Sequence, residues 1–378
     1  MLRKVINRAN EEIYVCDLTQ IDSFKCPYNI LMSGRSDGKS FAVLEKILYN
    51  KLKKNKQGMI LRRWDTDFKS GRASTMFANL VTEGKLIGTG WDDILYKNGA
   101  WYLAQWDEDL SNWKYDNEPF CYAISISDVE HSKSSAYPNV TIILFDEFIP
   151  MNGYCLDEYI KFMNILSTVI RKYRRDVTIY MCANTISTDS IYFKEFGLKN
   201  IKNQKQGTID IYKYGDGGCS VAVEILPQVP NTDKTNSNYY FAFDNPKLAM
   251  IRGEGFEIAM FPHLPSGENI IPSHIRKRFF IYYNDELLEG NVIKYDNCDY
   301  LYFHRKTTAV SDEEKDRIYT DVPDIRRNWF TNILNPADKF GQMIYKYFKF
   351  QKVFYQDNMV GNDVNNYIKW CVDERLIK

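Results

Sequence analysis

The sequence predicts an α/β fold in two units: an N-terminal parallel sheet with helices on both faces, and a smaller C-terminal α/β unit. Three observations predict it. Short apolar runs alternate with helical patterns through the first 200 residues, as strand–helix–strand units do. One run, Thr141–Phe145, is apolar at nearly every position, as a central parallel strand buried on both faces must be. Beyond residue 200 the chain turns polar and Gly-rich, and an aromatic strand group followed by helical patterns begins near residue 277.

In order, Tyr28–Met32 reads as a strand and Ser40–Leu52 as a helix, with Phe41, Val43, Leu44, Ile47 and Leu48 on its apolar face. Met59–Trp64 is a second strand. A hairpin turns at Asn98-Gly99, with Trp101, Tyr102 and Leu103 on its return strand. Phe120–Ile126 and Thr141–Phe145 are strands, Tyr159–Tyr173 is helical, and Val177–Ala183 is a strand again. Ile201–Gly218 is polar and Gly-rich, and Pro227–Ser237 has the composition of a loop. Arg278–Tyr283, Gly290–Tyr295 and Tyr300–His304 read as three antiparallel strands, followed by helices over Asp338–Phe350 and Val364–Glu374. The expected organisation is a first domain over residues 1–200, a linker region over 201–262 and a second domain over 263–378.

The 378 residues carry 49 basic and 49 acidic side chains, so the formal net charge is zero. That excludes a uniformly basic DNA-coating protein and an acidic tail protein, but not a local basic patch. The eight cysteines form no CxxC pair, which argues against a zinc ribbon, and they read as reduced thiols. The four histidines are scattered, so no histidine-based metal site is expected. The charged N-terminus lacks the apolar core of a signal peptide, and no apolar run approaches membrane-helix length, so no membrane partner is expected.

Between the first strand and the first helix lies Ser33-Gly34-Arg35-Ser36-Asp37-Gly38-Lys39-Ser40. A phosphate-binding P-loop needs this context of strand, glycine turn, Lys-Ser and helix start, because backbone N–H groups and the helix N-terminus then surround the phosphates. Lys39 would reach the β- and γ-phosphates of a nucleotide and Ser40 would ligate magnesium. The match departs from GxxxxGK[ST] at its first glycine, which is Ser33 here. A helix starting after a glycine turn would give part of the same pattern.

Thr141–Phe145 ends in Asp146-Glu147. An apolar strand delivering two carboxylates at its C-terminal edge is the arrangement of a Walker B element: Asp146 for the magnesium shell, Glu147 to orient and polarise the attacking water. Alone it would read as a buried strand with a solvated acidic turn. Together the two motifs imply ATP and Mg2+ at one sheet edge. Val177–Ala183 then ends at Asn184, a polar tip able to touch the γ-phosphate or water. This is the additional-strand, catalytic-glutamate class of P-loop ATPases, and no NKxD-like base-reading motif points to a GTPase.

Lys133-Ser134-Ser135-Ala136-Tyr137-Pro138-Asn139-Val140, running into TIILFDEFIP, resembles the DNA packaging ATPases (DNA encapsidation proteins, terminase-large-subunit-like) of small Picovirinae-type podoviruses. The arginine of their P-loop matches Arg35, and Arg62-Arg63 also match. The resemblance is strong over residues 28–187 and faint beyond 200. It implies a DNA-translocating ATPase that drives double-stranded viral DNA into a prohead. It implies a homo-oligomeric ring, five-membered in that family, acting in the infected host's cytoplasm at the portal, with a structural packaging RNA as a further partner. It also implies a C-terminal domain of RNase H-like fold that has lost nuclease function. A terminase with an active nuclease, and a non-hydrolysing DNA- or portal-binding adaptor, are the alternatives.

Through the resemblance, Arg171 aligns with a trans-acting arginine finger, with Arg174 as its competitor. Lys133 matches a basic residue acting across the subunit interface. Arg35 supplies a second cation in the P-loop, and otherwise is a surface loop arginine. The basic run Lys51–Lys56 is a candidate DNA contact or a solvated face, and Arg276-Lys277-Arg278 could meet DNA, portal or RNA. The candidate first strand of the C-terminal domain holds no acid, and Asp296 and Asp363 form no cluster, so no nuclease activity is expected.

Overall fold

The computed structural model describes residues 1–6, 12–34, 37–69, 71–128, 136–150, 154–155, 157–171, 174–184, 190–216, 218–227, 261–264, 272–283, 286–295, 298–310, 312 and 315–375. The chain divides into two compact units, Met1–Glu257 and Ile258–Lys378. In the first, β1 (Leu2–Ile6) and β2 (Glu12–Cys16) form a hairpin, followed by α1 (Thr19–Ser23), β3 (Tyr28–Ser33), α2 (Lys39–Lys54) and β4 (Gln57–Arg62). Then come α3 (Arg72–Thr75), α4 (Ala78–Thr82), β5 (Asp93–Lys97), β6 (Ala100–Asp107), β7 (Asn112–Tyr115), β8 (Cys121–Ser125) and β9 (Val140–Asp146). The unit closes with α5 (Glu158–Val169), β10 (Thr178–Asn184), α6 (Ile191–Glu195), β11 (Thr208–Tyr214) and β12 (Cys219–Ile225).

The main sheet runs β11-β12-β3-β10-β9-β4-β8-β6-β5, with β7 on β6. From β12 to β8 every neighbour is parallel. The sheet is therefore mixed rather than wholly parallel. Its edges are antiparallel pairs, β5 with β6 and β11 with β12, because connections of two and four residues are too short to cross over. Strand β10 lies between β3 and β9, the additional-strand arrangement the sequence implied.

Period-2 alternation sends successive side chains to opposite faces. Ile30, Met32, Ile143 and Phe145 pack with Phe162 of α5 and Tyr192 of α6. Leu31, Ile142 and Leu144 pack on the other face with Val43, Leu44, Ile47 and Leu48 of α2. Each such fully buried aliphatic or aromatic side chain contributes roughly 2 kcal/mol. Helix α2 lies close on β4 because residue 58 is glycine: a Cβ there would come within 2.5 Å of Ile47 Cγ2.

Two boundaries differ from expectation. The expected linker over 201–262 holds β11 and β12, and β12 extends the parallel sheet beside β3 with Val221, Val223 and Ile225 buried. The region looked polar because β11 is an edge strand with no fully buried residue. Most of the 227–237 loop lies outside the described residues. Helix α5 stops at Val169, since Ile170 leaves helical geometry at φ −92° and ψ 67°.

The second unit comprises β13 (Ile275–Tyr283), β14 (Glu286–Tyr295), β15 (Cys298–Arg305), β16 (Ile318–Thr320), β17 (Trp329–Thr331), α7 (Lys339–Lys349), β18 (Val353–Tyr355) and α8 (Asn358–Arg375). Its sheet order is β17-β16-β13-β14-β15-β18. Strands β13 to β15 are antiparallel as expected, and β16 and β17 add parallel beside β13. Strand β18 adds parallel beside β15. One face packs Phe279, Ile281, Leu288 and Phe303 against Ile344 of α7 and Val364 and Tyr367 of α8.

Glu289 sits on this sheet, 7% exposed. Its Oε1 accepts from Asn291 Nδ2 at 3.2 Å and lies 3.6 Å from His304 Nε2, and Lys306 Nζ is 3.7 Å from Oε2. Burial pushes this carboxyl up, but His304, Asn291 and Lys306 outweigh burial and hold it down at about 2. The hydrogen bond to Glu289 in turn raises His304. An unfolded chain would take up the glutamate proton near its ordinary 4.5, so the stability from Glu289 is present above that pH and lost as pH falls toward about 2. Glu289→Gln is expected to flatten this acid limb of unfolding, followed by tryptophan fluorescence against pH. An unchanged limb would show that Glu289 contributes none of it.

All eight cysteines are free thiols, with only Cys219 and Cys298 exposed. Among the described residues no helix is long and apolar enough to cross a membrane.

Candidate phosphate-binding site

The parallel register brings four strand ends together. Asn184 of β10 pairs with Ser33 of β3, Cys182 of β10 with Asp146 of β9, and Leu61 of β4 with Phe145 of β9. The C-terminal edge of such a sheet is where open α/β folds hold ligands.

Helix α2 starts after Gly38, whose φ of +74° is left-handed and favours glycine. The first-turn N–H groups of a helix have no intrahelical partners and face an anion favourably. The Asp37 carbonyl accepts from Cys16 N at 3.1 Å, so β2 braces the turn. Arg35 and Ser36 lie outside the described residues. Lys39 is 6% exposed. Its Nζ donates to Ser33 Oγ at 2.7 Å and to the Gly34 carbonyl at 2.8 Å, with Asn184 Oδ1 at 3.4 Å. Burial lowers its pKa, against smaller upward pulls from Cys182, Asp37 and Asp146. Among the described residues no carboxylate is in ion-pair reach of it. A buried ammonium held only by neutral oxygens suits an incoming anion.

Asp146, 8% exposed, accepts from Ser40 Oγ at 2.6 Å through Oδ1 and from Arg62 Nη2 at 2.6 Å through Oδ2. Arg62 Nη1 also pairs with Glu147 Oε2 at 2.9 Å, while the Glu147 side chain remains open to solvent. Burial opposes the Arg62 charge, yet Asp146 and Glu147 raise its pKa above the ordinary arginine value. Its Nε is buried without a partner among the described residues, an unused donor at the site. The Ser40 hydroxyl and Asp146 carboxylate are adjacent hard oxygen donors of the kind magnesium takes, so the residues fit that ion.

These groups wall a crevice of about 340 Å³ lined by Gly38, Lys39, Ser40, Asp146, Glu147 and Asn184. A second cleft, about 470 Å³, opens beside it toward Asp67, Arg72, Met76 and Asn79 and shares Ser40, Phe41, Arg62 and Asp146.

Behind the acidic turn sits Arg63, 5% exposed. Its Nε and Nη2 grip the Glu158 carboxylate at 2.6 and 2.8 Å, and Nη1 and Nη2 donate to the Glu147 and Phe148 carbonyls at 3.1 and 2.8 Å. Burial opposes the Arg63 charge too, but Glu158 raises its pKa. The roles of Arg62, Arg63 and Glu158 are the site features that motif reading missed. The matching Arg62-Arg63 pair was visible, but only the fold brings Glu158, 95 positions away, onto it.

Of the other candidates, Arg171 is exposed just past the end of α5, with no hydrogen bond or ion pair among the described residues. Arg174 is consumed in its own chain, bonded to Asp176 at 2.9 Å and to the Val140 carbonyl at 2.7 Å. Lys133 and Asp296 lie outside the described residues. Lys51 of the basic run is buried on Asp116 at 2.8 Å, so that run is not a uniform solvated face. Arg276 and Arg278 approach Asp299 and Asp316 at 3.2 and 3.5 Å.

Residues 16–228 match the family described as podovirus DNA encapsidation protein (Gp16). The chain is similar to the DNA packaging protein of Bacillus phage phi29, 27% identical over 185 residues that cover 48% of this chain and 50% of that protein. It is similar to the DNA packaging protein of Bacillus phage B103, 28% identical over 182 residues, 45% of this chain and 48% of that one. The chain spans about half the length of the curated relatives it matches. Among solved structures it is similar to the bacteriophage phi29 viral genome packaging motor assembly, with a TM-score of 0.57 and 18% identity over 94% of this chain and 99% of that one. The phi28 gp11 DNA packaging motor gives a TM-score of 0.50 and 16% identity over 94% and 96%. At these identities the structural likeness is one of fold.

Proposed function

The chain belongs to the podovirus DNA encapsidation protein (Gp16) family, and from that premise we propose that it is the ATPase of a viral DNA packaging motor. One observation carries the reading: Lys39, Ser40, Asp146, Glu147 and Asn184 converge on one crevice at the ends of adjacent parallel strands.

ATP would lie with its β- and γ-phosphates against the amides at the start of α2. Lys39 exchanges its contacts with Ser33 and Gly34 for phosphate oxygens. Ser40 and Asp146 would hold Mg2+, which neutralises charge on the phosphates when bound. Glu147 orients a water and takes its proton as the water oxygen bonds to the γ-phosphorus. The bond to the bridging oxygen then breaks, and ADP and phosphate leave. Asn184, beside Lys39, senses the change. Arg171 of one subunit would complete its neighbour's site in a ring, and Lys133 would act across the same interface.

Phosphate contacts to double-stranded DNA carry no sequence information, so binding should tolerate sequence and weaken with salt. The prohead portal, a packaging RNA and a five-membered ring belong to the same proposal, as does action in the host cytoplasm. For the second unit we propose no DNA cutting: neither β13 (IRKRFFIYY) nor β16 (IYT) carries a carboxylate for a two-metal site. Plasmid nicking with manganese would contradict this.

The test is DNA-stimulated phosphate release by the wild-type chain and by Glu147→Gln. The variant should bind ATP normally and turn over roughly 10²–10⁴-fold more slowly. Normal turnover by Glu147→Gln removes the role given to that carboxylate. Absence of wild-type release at all favours a non-hydrolysing adaptor.

A further inference from the structure

We propose that Arg63 and Glu158 are positioning residues that fix the Glu147 peptide and so aim its carboxylate into the crevice. The inference rests on the hydrolytic reading above. Glu147 has a φ of +56°, left-handed and unfavourable for a residue with a Cβ. Such a conformation persists only where its surroundings over-determine it. Here they do. Arg63 captures both the Glu147 carbonyl, at 3.1 Å, and the Phe148 carbonyl, at 2.8 Å. Phe148 N donates to the Cys182 carbonyl at 3.2 Å. The turn's carbonyls therefore face the protein, and the Glu147 side chain faces Arg62 and solvent.

Arg63 is itself fixed. Its planar fork is bidentate on Glu158. Both Glu158 oxygens are further satisfied, by Tyr192 Oη at 2.9 Å and Cys155 N at 2.9 Å. The guanidinium also lies over the Tyr154 ring at 5.4 Å. A buried ion pair is a poor way to gain stability, since apolar residues of similar volume commonly do as well. What an apolar pair cannot do is donate to two carbonyls. That is the property the geometry uses, and it sits directly behind the hydrolytic glutamate.

The test separates positioning from folding. Arg63→Met alone leaves the buried Glu158 charge unpaired and should unfold easily. Arg63→Met/Glu158→Leu/Tyr192→Phe removes both charges and the dependent hydroxyl together, and should recover a melting temperature above that of the single variant. The triple variant should keep its KM for ATP within about threefold, because Lys39 and Ser40 are untouched, and lose kcat by about tenfold or more, as expected for an interaction felt only in the transition state. Arg63→Lys, which keeps the charge but not the fork, should lose kcat in the same way. A triple variant with recovered melting temperature and wild-type kcat would overturn the inference while leaving the ATPase reading intact. A wild-type chain with no turnover would overturn both.

Discussion

A Lys39→Ala chain is expected to lose ATP turnover by about a thousandfold or more, about 4 kcal/mol of transition-state stabilisation, while staying folded. Lys39 is 6% exposed, and its ammonium is held by neutral oxygens alone among the described residues. Its full electrostatic value is therefore free for phosphate. Burial depresses its pKa in the folded chain, so the unfolded chain binds the proton more tightly, and the Lys39 contribution to stability rises with pH toward the ordinary lysine value of 10.5. Removing the side chain should abolish that alkaline rise without lowering the melting temperature at neutral pH. Fluorescent-nucleotide binding, phosphate release and thermal melts against pH check the three parts. Turnover within tenfold of wild type would sink the assignment of Lys39 to the phosphates.

Arg171→Ala is the second large effect. A trans-acting finger is worth roughly 10³–10⁵ in rate, and Arg171, proposed for that role, is exposed past the end of α5. Arg174→Ala should behave differently. Arg174 straps Asp176 to the Val140 carbonyl, so its loss should lower the melting temperature more than the rate. Subunit mixing gives the decisive reading. Arg171→Ala and Lys39→Ala chains, each inactive alone, should regain phosphate release when combined, because the second supplies Arg171 to the first chain's intact Lys39 site. Continued inactivity of the mixture would contradict action in trans.

The elements nearest the site were legible because their signals are local. Gly38-Lys39-Ser40 after an apolar strand, and Asp146-Glu147 at the end of another, declare strand, turn and candidate site within a few residues. The antiparallel trio in the second unit was legible from its aromatic runs. What escaped depends on distant partners. Residues 208–225 read as linker because β11 buries nothing fully, although Val221, Val223 and Ile225 in β12 carried a period-2 signal. The bridging of Asp146 and Glu147 by Arg62, and the grip of Arg63 on Glu158, follow from neighbouring strands and helices. No spacing along the chain announces them. Nor could spacing decide between Arg171 and Arg174, since the strap that occupies Arg174 is made by the fold.

The serine at position 33 departs from the glycine usual in such loops, and its hydroxyl grips the lysine at 2.7 Å. The ammonium is thereby parked at the cradle's rim, its long stem already ordered before any guest arrives. The entropy of freezing a four-carbon arm is settled during folding rather than at capture. On the proposed reading, a triphosphate has to displace only neutral oxygens, the Ser33 hydroxyl and the Gly34 carbonyl.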